Sequence, residues 1–412
     1  MIRYSAFDPP EYVDWKPDPD VMEQYRSTLL ADPRRRDIIE QIGPPLLIAL
    51  YEGMLRNRLH DIALKRWVKQ GIASKAWLGT GEEATTIGAV HALDRGTEID
   101  GTRTDVVGPM IRNAGACHEF GMPVADMLRG YLGTADSPTR GRDLHIGDLE
   151  RGILAPVSPV GIMVPVAAGI ALGFKMRKQA RVALAFIGDG STKASPFHEG
   201  MNFAAATRLP LIVIIQNNQV ALGTRLDQYN RAPFLDYIEA YGVEGWGFDG
   251  NNVLDAYAAV KIAADRARRV DTSDRGPFLL VSETFRMGGH ATHDEREARK
   301  TFPSQLFQYW GKRDPIGTFE TYLIDSDLNL ETGQHSRPAA FKETNARLLH
   351  GVEEKIVTEV EEAAGEALES ARLRMPDPES AANGVFAGPD SEPLLKFAGT
   401  VLAGCKPLGK SG

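Results

Sequence analysis

The chain has 412 residues, of which 43% are apolar and 25% charged, and its formal net charge is −8. This length suffices for one large or two smaller domains with well-filled cores, and the acidic balance gives no electrostatic footprint for nucleic acid or an anionic membrane. The two cysteines, Cys117 and Cys405, lack metal-like spacing, and two thiols in so long a chain are typical of a reducing compartment.

The amino-terminal residues 1–40 are rich in proline and charged residues. They are too acidic for a transit peptide and lack the apolar core of a signal peptide, and no run in the chain reaches membrane-spanning length. Cytoplasm is therefore the expected location. The same composition predicts an extended arm that lies on another surface or stays mobile.

Helix-like and strand-like segments alternate from about residue 41 onward. Pro44-Pro45 opens a helix with apolar residues at helical spacing. This alternation predicts an α/β fold with a mainly parallel, doubly wound sheet flanked by helices. The predicted helices after the first are 82–93, 116–132, 160–178, 194–207 and 252–269, and the predicted strands are 181–187, 210–216 and 277–284.

The pattern changes beyond Trp310, where a charged amphipathic helix is predicted over 353–373. The expected organisation is an amino-terminal arm over 1–40, an α/β domain over 41–322 and a helical carboxyl-terminal extension over 323–412.

Two polar turns follow two of the predicted strands. Gly188-Asp189-Gly190 ends the first strand, and Asn217-Asn218 ends the second. Because the carboxyl ends of parallel strands meet at one edge of a sheet, Asp189 and Asn218 are expected within reach of one ion. Carboxylate and amide oxygens suit Mg²⁺ or Ca²⁺, and Mg²⁺ usually completes its octahedron with phosphate and water. The two turns therefore predict a bound diphosphate.

A different doubly wound protein is the competing interpretation, with Asp189 capping a helix and Asn218 forming an Asx turn. A nicotinamide-binding protein of this class would carry Gly-x-Gly-x-x-Gly after its first strand, with an acidic residue about 20 positions further on. The chain has no such pattern.

The two turns, separated by residues 191–216, resemble the thiamine-diphosphate motif of decarboxylases, transketolases and 2-oxo acid dehydrogenases. Other segments occur in the order seen in the alpha subunit of 2-oxo acid dehydrogenases, the decarboxylating components of pyruvate, branched-chain 2-oxo acid and acetoin complexes. These segments are 78–84, 100–103, 141–145, 155–160 and 284–292.

This resemblance implies a role for individual residues. Asp189, Asn218 and the main-chain oxygen of Val220 would hold Mg²⁺, and backbone N–H groups at the start of the next helix would cradle the diphosphate. The competing interpretations are a solvated surface arginine at 103, a plain core valine at 160 and surface histidines. The implied cofactor-binding residues are Arg103, Ser158, Val160, Gly188, Asp189, Gly190, Ser191, Asn218 and His290, and the implied catalytic residues are His290 and His145.

Five positions bear on the chemistry of that site. His290 follows two glycines, and its imidazole can donate to a diphosphate and to a developing alkoxide. His293 and Asp294 are expected to fix its loop. Thr102 and Gln216 replace a tyrosine and an arginine found in relatives, so one hydroxyl and one cationic contact are expected to be missing.

The implied activity is oxidative decarboxylation of a 2-oxo acid, a branched-chain acid or pyruvate, with reductive acylation of a lipoyl group. Thiamine diphosphate would supply the electron sink. A separate beta subunit would supply the activating glutamate in an α2β2 heterotetramer, and the lipoyl domain of a dihydrolipoyl acyltransferase would accept the acyl group. The alternatives are an acetoin-cleaving dehydrogenase subunit and a catalytically silent subunit that binds the cofactor for assembly.

Overall fold

The computed structural model of the protein describes residues 1–95, 104–270 and 275–382. Met1–Met375 form one compact unit, and a second unit begins at Pro376. The domain divisions expected after residues 40 and 322 stay predictions. Cys405 and most of the tail lie outside the described residues.

A parallel sheet of five strands forms the centre of the larger unit, in the order β1-β2-β3-β7-β6. The predicted α/β class is thus confirmed. A short antiparallel hairpin, β4 and β5, follows β3. The strands are β1 Val106–Gly108, β2 Ala183–Gly188, β3 Leu211–Asn217, β4 Val220–Ala221, β5 Thr224–Arg225, β6 Glu244–Asp249 and β7 Phe278–Glu283.

Alternate residues of the central strands enter two different cores, because successive side chains of a strand point to opposite faces. Leu184 and Ile212 lie in one core with residues of the helices Glu83–His91 and Val253–Ala267. Ala185 and Val213 lie in the other core with residues of the helices Met163–Met176 and Ser195–Thr207. A sheet buried on both faces needs a continuous apolar run. The helices are α1 Pro10–Val13, α2 Pro19–Ala31, α3 Pro33–Ile39, α4 Pro44–Lys69, α5 Glu83–His91, α6 Ala114–Glu119, α7 Val124–Leu132, α8 Met163–Met176, α9 Ser195–Thr207, α10 Leu226–Tyr229, α11 Asp236–Tyr241, α12 Val253–Ala267, α13 Glu295–Thr301, α14 Ser304–Gly311, α15 Pro315–Ile324 and α16 Lys342–Leu373.

The prediction of an extended amino-terminal arm is wrong, because residues 1–40 form the helices α1, α2 and α3. Each of these helices has proline in its first turn, where the missing N–H costs no helical hydrogen bond. Tyr12 and Tyr25 are buried, and Arg35 Nη1 donates to Asp255 Oδ1 at 2.9 Å. The segment is therefore folded against the chain's own core.

Two other predicted helices differ in extent. The helix expected over 116–132 is divided into α6 and α7, because Gly121 has a φ of +91° and Pro123 precedes α7. The carboxyl-terminal helix is confirmed and is longer than expected, since α16 already begins at Lys342. Within the described part of the chain, no helix is both long and apolar enough to cross a membrane.

Candidate active site

The two polar turns lie side by side at the carboxyl edge of the sheet, where Gly188 pairs with Gln216 across β2 and β3. Asp189 and Asn218 are 2% and 3% exposed. Asp189 Oδ1 accepts from the N–H of Gly190 at 2.7 Å, but Asp189 Oδ2 and Asn218 Oδ1 are buried without a hydrogen-bond partner. Unpaired buried oxygens of this kind are costly, and both are hard ligands that fit a divalent cation.

Val220 stands beside this pair on the hairpin β4–β5 and is 3% exposed. Burial raises the pKa of Asp189, while the N–H of Gly190, the hydroxyl of Tyr229, the charge of Arg286 and the N–H of Val220 oppose that rise. No cluster of three or more His, Cys, Asp and Glu side chains suited to a metal occurs in the described residues. A cation here would therefore depend on one carboxylate, one amide and a carbonyl oxygen.

The Gly-Asp-Gly turn is a 3₁₀ turn over Asp189–Lys193, and α9 begins only at Ser195. Gly190 and Ser191 thus precede the helix rather than opening it, which corrects the expectation. A Cβ at Gly190 would lie 2.6 Å from the Cβ of Ala221. The glycine is therefore required because the turn and the hairpin approach closely.

Two arginines that the sequence analysis did not single out converge on His290. Arg112 Nη2 and Arg286 Nη1 each lie 3.5 Å from His290 Nδ1, and the two arginines are 6% and 3% exposed. Arg112 follows β1, and Arg286 follows β7, so both lie beyond carboxyl ends of parallel strands. Arg286 Nη2 also donates to the carbonyl oxygen of Leu222 at 3.0 Å, in the hairpin that carries Val220.

His290 is a neutral donor in this arrangement. Burial and the charges of Arg112 and Arg286 lower the pKa of His290 to about 4. A guanidinium group cannot accept a hydrogen bond, so we assign the acceptor role to Nδ1 and the proton to Nε2. As expected, Asp294 fixes the loop: its carboxylate accepts from the N–H of His290 at 3.1 Å and from that of Ala291 at 2.8 Å.

Glu82, the first residue of the predicted helix 82–93 and part of the segment 78–84, is a further buried group of the site. Its Oε1 accepts from Gln216 Nε2 at 3.0 Å and from Asn218 Nδ2 at 3.1 Å, while its Oε2 lies 4.0 Å from Arg112 Nη1. Asn113 Nδ2 donates to Gln216 Oε1 at 2.9 Å. Gln216 is thus part of a chain of amides that ends on a carboxylate.

His145 belongs to a second cluster, which is more exposed. His145 Nδ1 lies 2.7 Å from Asp143 Oδ1, and Nε2 lies 3.0 Å from Ser158 Oγ. Val160 is 54% exposed, so it is not the plain core valine of the competing interpretation. A Cβ at Gly161 would lie 3.4 Å from the carbonyl oxygen of Ser191, which places this turn against the Gly-Asp-Gly turn.

Arg103 and Thr102 lie outside the described residues. Arg112 lies beside His290 as a buried cation. The only sequence signal for Arg112 was its position shortly after the apolar residues of β1.

Comparison with known proteins identifies similar chains along most of this length. A family described as "Dehydrogenase E1 component" matches residues 51–368. The 2-oxoisovalerate dehydrogenase subunit alpha of Bacillus subtilis is 34% identical over 60% of this chain and 72% of that protein. The pyruvate dehydrogenase E1 component subunit alpha of Acholeplasma laidlawii is 30% identical over 71% of this chain and 81% of that protein. The match to the mitochondrial 2-oxoisovalerate dehydrogenase subunit alpha 1 of Arabidopsis thaliana, at 29% identity, spans 69% of this chain and only 58% of that protein.

Proposed function

Because the chain belongs to the family of dehydrogenase E1 components, we propose that it acts as the alpha subunit of a 2-oxo acid dehydrogenase with thiamine diphosphate and Mg²⁺ as cofactors. The reaction would convert a 2-oxo acid and a lipoyl disulfide into carbon dioxide, an acyl thioester and a free thiol. Branched-chain 2-oxo acids and pyruvate are the substrate candidates, since the similar proteins are named for them. The acetoin-cleaving alternative is not favoured.

The pair of unpartnered buried oxygens on Asp189 and Asn218 carries the assignment of the metal. We propose that these oxygens and the carbonyl oxygen of Val220 hold Mg²⁺. Two arginines lie close to buried carboxyl groups of the site: burial raises the pKa of Asp189 and of Glu82, and the charges of Arg286 and Arg112 respectively oppose that rise. Guanidinium groups bind phosphate oxygens through paired N–H donors, so the diphosphate would lie between the cation and the arginines.

Thiamine diphosphate, when bound, supplies the nucleophilic carbon and the electron sink for decarboxylation. The chain would bind and orient it, with Ser158 and Val160 near the rings. His290 would donate its Nε2–H to the diphosphate or to a developing oxyanion without adding a positive charge. His145, whose Nδ1 is held by Asp143, would hold a proton at Nε2 or accept one there.

The subunits implied by the family complete the site. Alpha-subunit relatives imply a beta subunit, and we propose an α2β2 heterotetramer in which the beta subunit supplies the glutamate that activates the cofactor. A lipoyl domain of a dihydrolipoyl acyltransferase would then receive the acyl group.

Titration calorimetry on the chain reconstituted with its beta subunit tests the cofactor assignment. We expect thiamine diphosphate to bind only with Mg²⁺, NAD not to bind, and Asp189→Ala to abolish the metal-dependent binding. Unchanged affinity in Asp189→Ala would refute the proposed metal site.

Turnover with an artificial electron acceptor tests the catalytic role. Pyruvate, 2-oxoisovalerate, 2-oxoisocaproate and acetoin are the substrates to compare. A complex that binds the cofactor but oxidises none of them would establish the silent-subunit alternative.

A further inference from the structure

The side-chain amide of Asn218 carries a hydrogen-bond donor, Nδ2, and an acceptor, Oδ1. Its Nδ2 donates to Glu82 Oε1 at 3.1 Å, and its Oδ1 is buried without a partner. Only the oxygen can bind a cation, whereas the NH₂ group would repel one. Because the two ends are almost identical in shape, packing alone does not choose between them, and a hydrogen-bond partner must.

Glu82 is able to make that choice because a carboxylate oxygen only accepts. The residue is 0% exposed, so water does not compete for its oxygens. The same Oε1 accepts from Gln216 Nε2 at 3.0 Å, and Gln216 is in turn fixed by Asn113 Nδ2 at 2.9 Å. The acceptor is therefore held in place from a second side.

The energy of the reverse orientation supports the same conclusion. Turning the amide over would bring Asn218 Oδ1 against Glu82 Oε1, two acceptors with no proton between them, and would leave a buried NH₂ group unpaired. Both changes are costly in a buried site. The unpaired oxygen of Asn218 is thus a consequence of where Glu82 stands.

The geometry points to Glu82 as a positioning residue that fixes the amide of Asn218 with its oxygen turned toward the cation. This inference rests on the proposed function, in which Asn218 is a metal ligand. It adds that the orientation of the Asn218 amide is imposed by Glu82, which lies at the start of α5, 136 positions away in sequence. Glu82 itself need not touch the metal.

Glu82 could also attract the cation through its negative charge, and two substitutions separate charge from orientation. Glu82→Gln removes the charge but keeps an acceptor oxygen, which the two amide donors select over its NH₂ group. Glu82→Leu removes both the charge and the acceptor. An orientation effect spares the glutamine variant, whereas a charge effect weakens both variants equally.

The measurement is the affinity for Mn²⁺, used in place of Mg²⁺, in the complex of the chain with its beta subunit and saturating thiamine diphosphate. Free Mn²⁺ is read by electron paramagnetic resonance, which does not depend on turnover. We expect Glu82→Gln to bind within about threefold of the wild type and Glu82→Leu to bind at least about tenfold more weakly, as expected when a buried hydrogen bond is lost. Equal losses in both variants, or no loss in Glu82→Leu, would overturn the inference.

Asn218→Asp provides the matched background, because a carboxylate offers an oxygen in either orientation. In that background Glu82→Leu should no longer produce the orientation-dependent loss of Mn²⁺ affinity. A loss as large as in the wild-type background would contradict the inference, since coupled residues must show non-additive effects.

Two further observations distinguish a failure of the Glu82 inference from a failure of the proposed function. A wild-type complex without thiamine-diphosphate-dependent Mn²⁺ binding would refute the proposed function itself. If Glu82→Leu does not fold, a crystal structure of the wild-type complex with Mn²⁺ decides: Asn218 Nδ2 should remain within hydrogen-bond distance of Glu82 Oε1. An amide turned the other way, or Glu82 bound to the metal, would overturn the inference.

Discussion

Arg286 Nη1 lies 3.5 Å from Nδ1 of His290, and this contact determines which nitrogen of the imidazole carries the proton. Arg112 approaches the same nitrogen at the same distance. Since neither guanidinium can accept, Nδ1 keeps its lone pair. His290 is thereby neutral at physiological pH and points a single donor, Nε2–H, away from the arginines.

Arg286→Met should raise the pKa of His290 from about 4 toward its ordinary value of about 6.5, because one of the two nearby positive charges disappears. The pKa is measured by following the imidazole C–H signals of His290 by NMR as pH changes, with His290→Gln to assign them. Arg286→Lys, which keeps the charge, is the control. A pKa that stays near 4 in Arg286→Met would show that burial and Arg112 are responsible without Arg286.

Gly190→Ala should weaken the binding of thiamine diphosphate with Mg²⁺ by roughly tenfold, a loss typical of a misplaced buried contact. The added Cβ would lie 2.6 Å from that of Ala221 and would push away the hairpin that carries Val220. Gly223→Ala is the matched control, because nothing lies within 4 Å of a Cβ there and the residue belongs to the same hairpin. Calorimetry on the two variants should therefore differ; equal affinities would mean that the hairpin does not place a ligand.

Asp143→Ala should lower kcat several-fold with little change in KM for the 2-oxo acid, because His145 loses the partner that holds its Nδ1. Burial acts to raise the pKa of Asp143, but the hydrogen bonds from His145 lower it below its ordinary value. The carboxylate is therefore ionised at neutral pH. Asp143→Asn, which retains an acceptor, should recover most of the activity. Steady-state kinetics against pH provide the test, and a change confined to KM would indicate a role in substrate binding.

The stability of the chain should fall on acidification because of a buried histidine pair. His118 Nδ1 faces the carbonyl oxygen of Met122 at 3.2 Å, so its Nε2 must accept from His60 Nδ1 at 2.8 Å. Burial lowers the pKa of His118 to about 4 and that of His60 well below its ordinary range. Both rings are therefore neutral in the folded protein at pH 7.

The sign of this dependence follows from proton linkage. Below about pH 6.5 an unfolded histidine takes up a proton, while the folded His118 does so only near pH 4. Stability is thus complete above pH 6.5 and is lost as pH falls from 6.5 to 4, by about 2–3 kcal/mol for this residue at pH 4.5. Urea unfolding at pH 7 and pH 4.5 should show a smaller difference for His118→Gln than for the wild type; an equal difference would exclude His118 as the cause.

The central part of the sheet could be predicted from the sequence, whereas its edges could not. β2 and β3 are buried on both faces and so read as continuous apolar runs. β1 has only three residues, and β6 is an edge strand that contains Gly245 and Gly247. Strands this short or this rich in glycine give no periodic signal.

The candidate site shows the same division. Asp189 and Asn218 belong to a local motif that strand order brings together, and the motif predicted both. Glu82 and Arg112 could not be assigned, because their partners Asn218 and His290 lie 136 and 178 positions away. Such pairings depend on packing of the whole chain rather than on local pattern, and the roles proposed for these residues stay predictions.

The packing of α4 against α16 has a consequence for how the polypeptide is made. Arg56 Nε on α4 donates to Glu359 Oε1 on α16 at 2.7 Å, across 303 positions of sequence, and the apolar residues of the two helices share one core. At a synthesis rate of about 5–20 residues per second, the apolar face of α4 emerges from the ribosome roughly 15–60 s before α16 has been synthesised. During that interval the apolar residues of α4 that pack against α16 remain uncovered, and the nascent chain is prone to aggregation there.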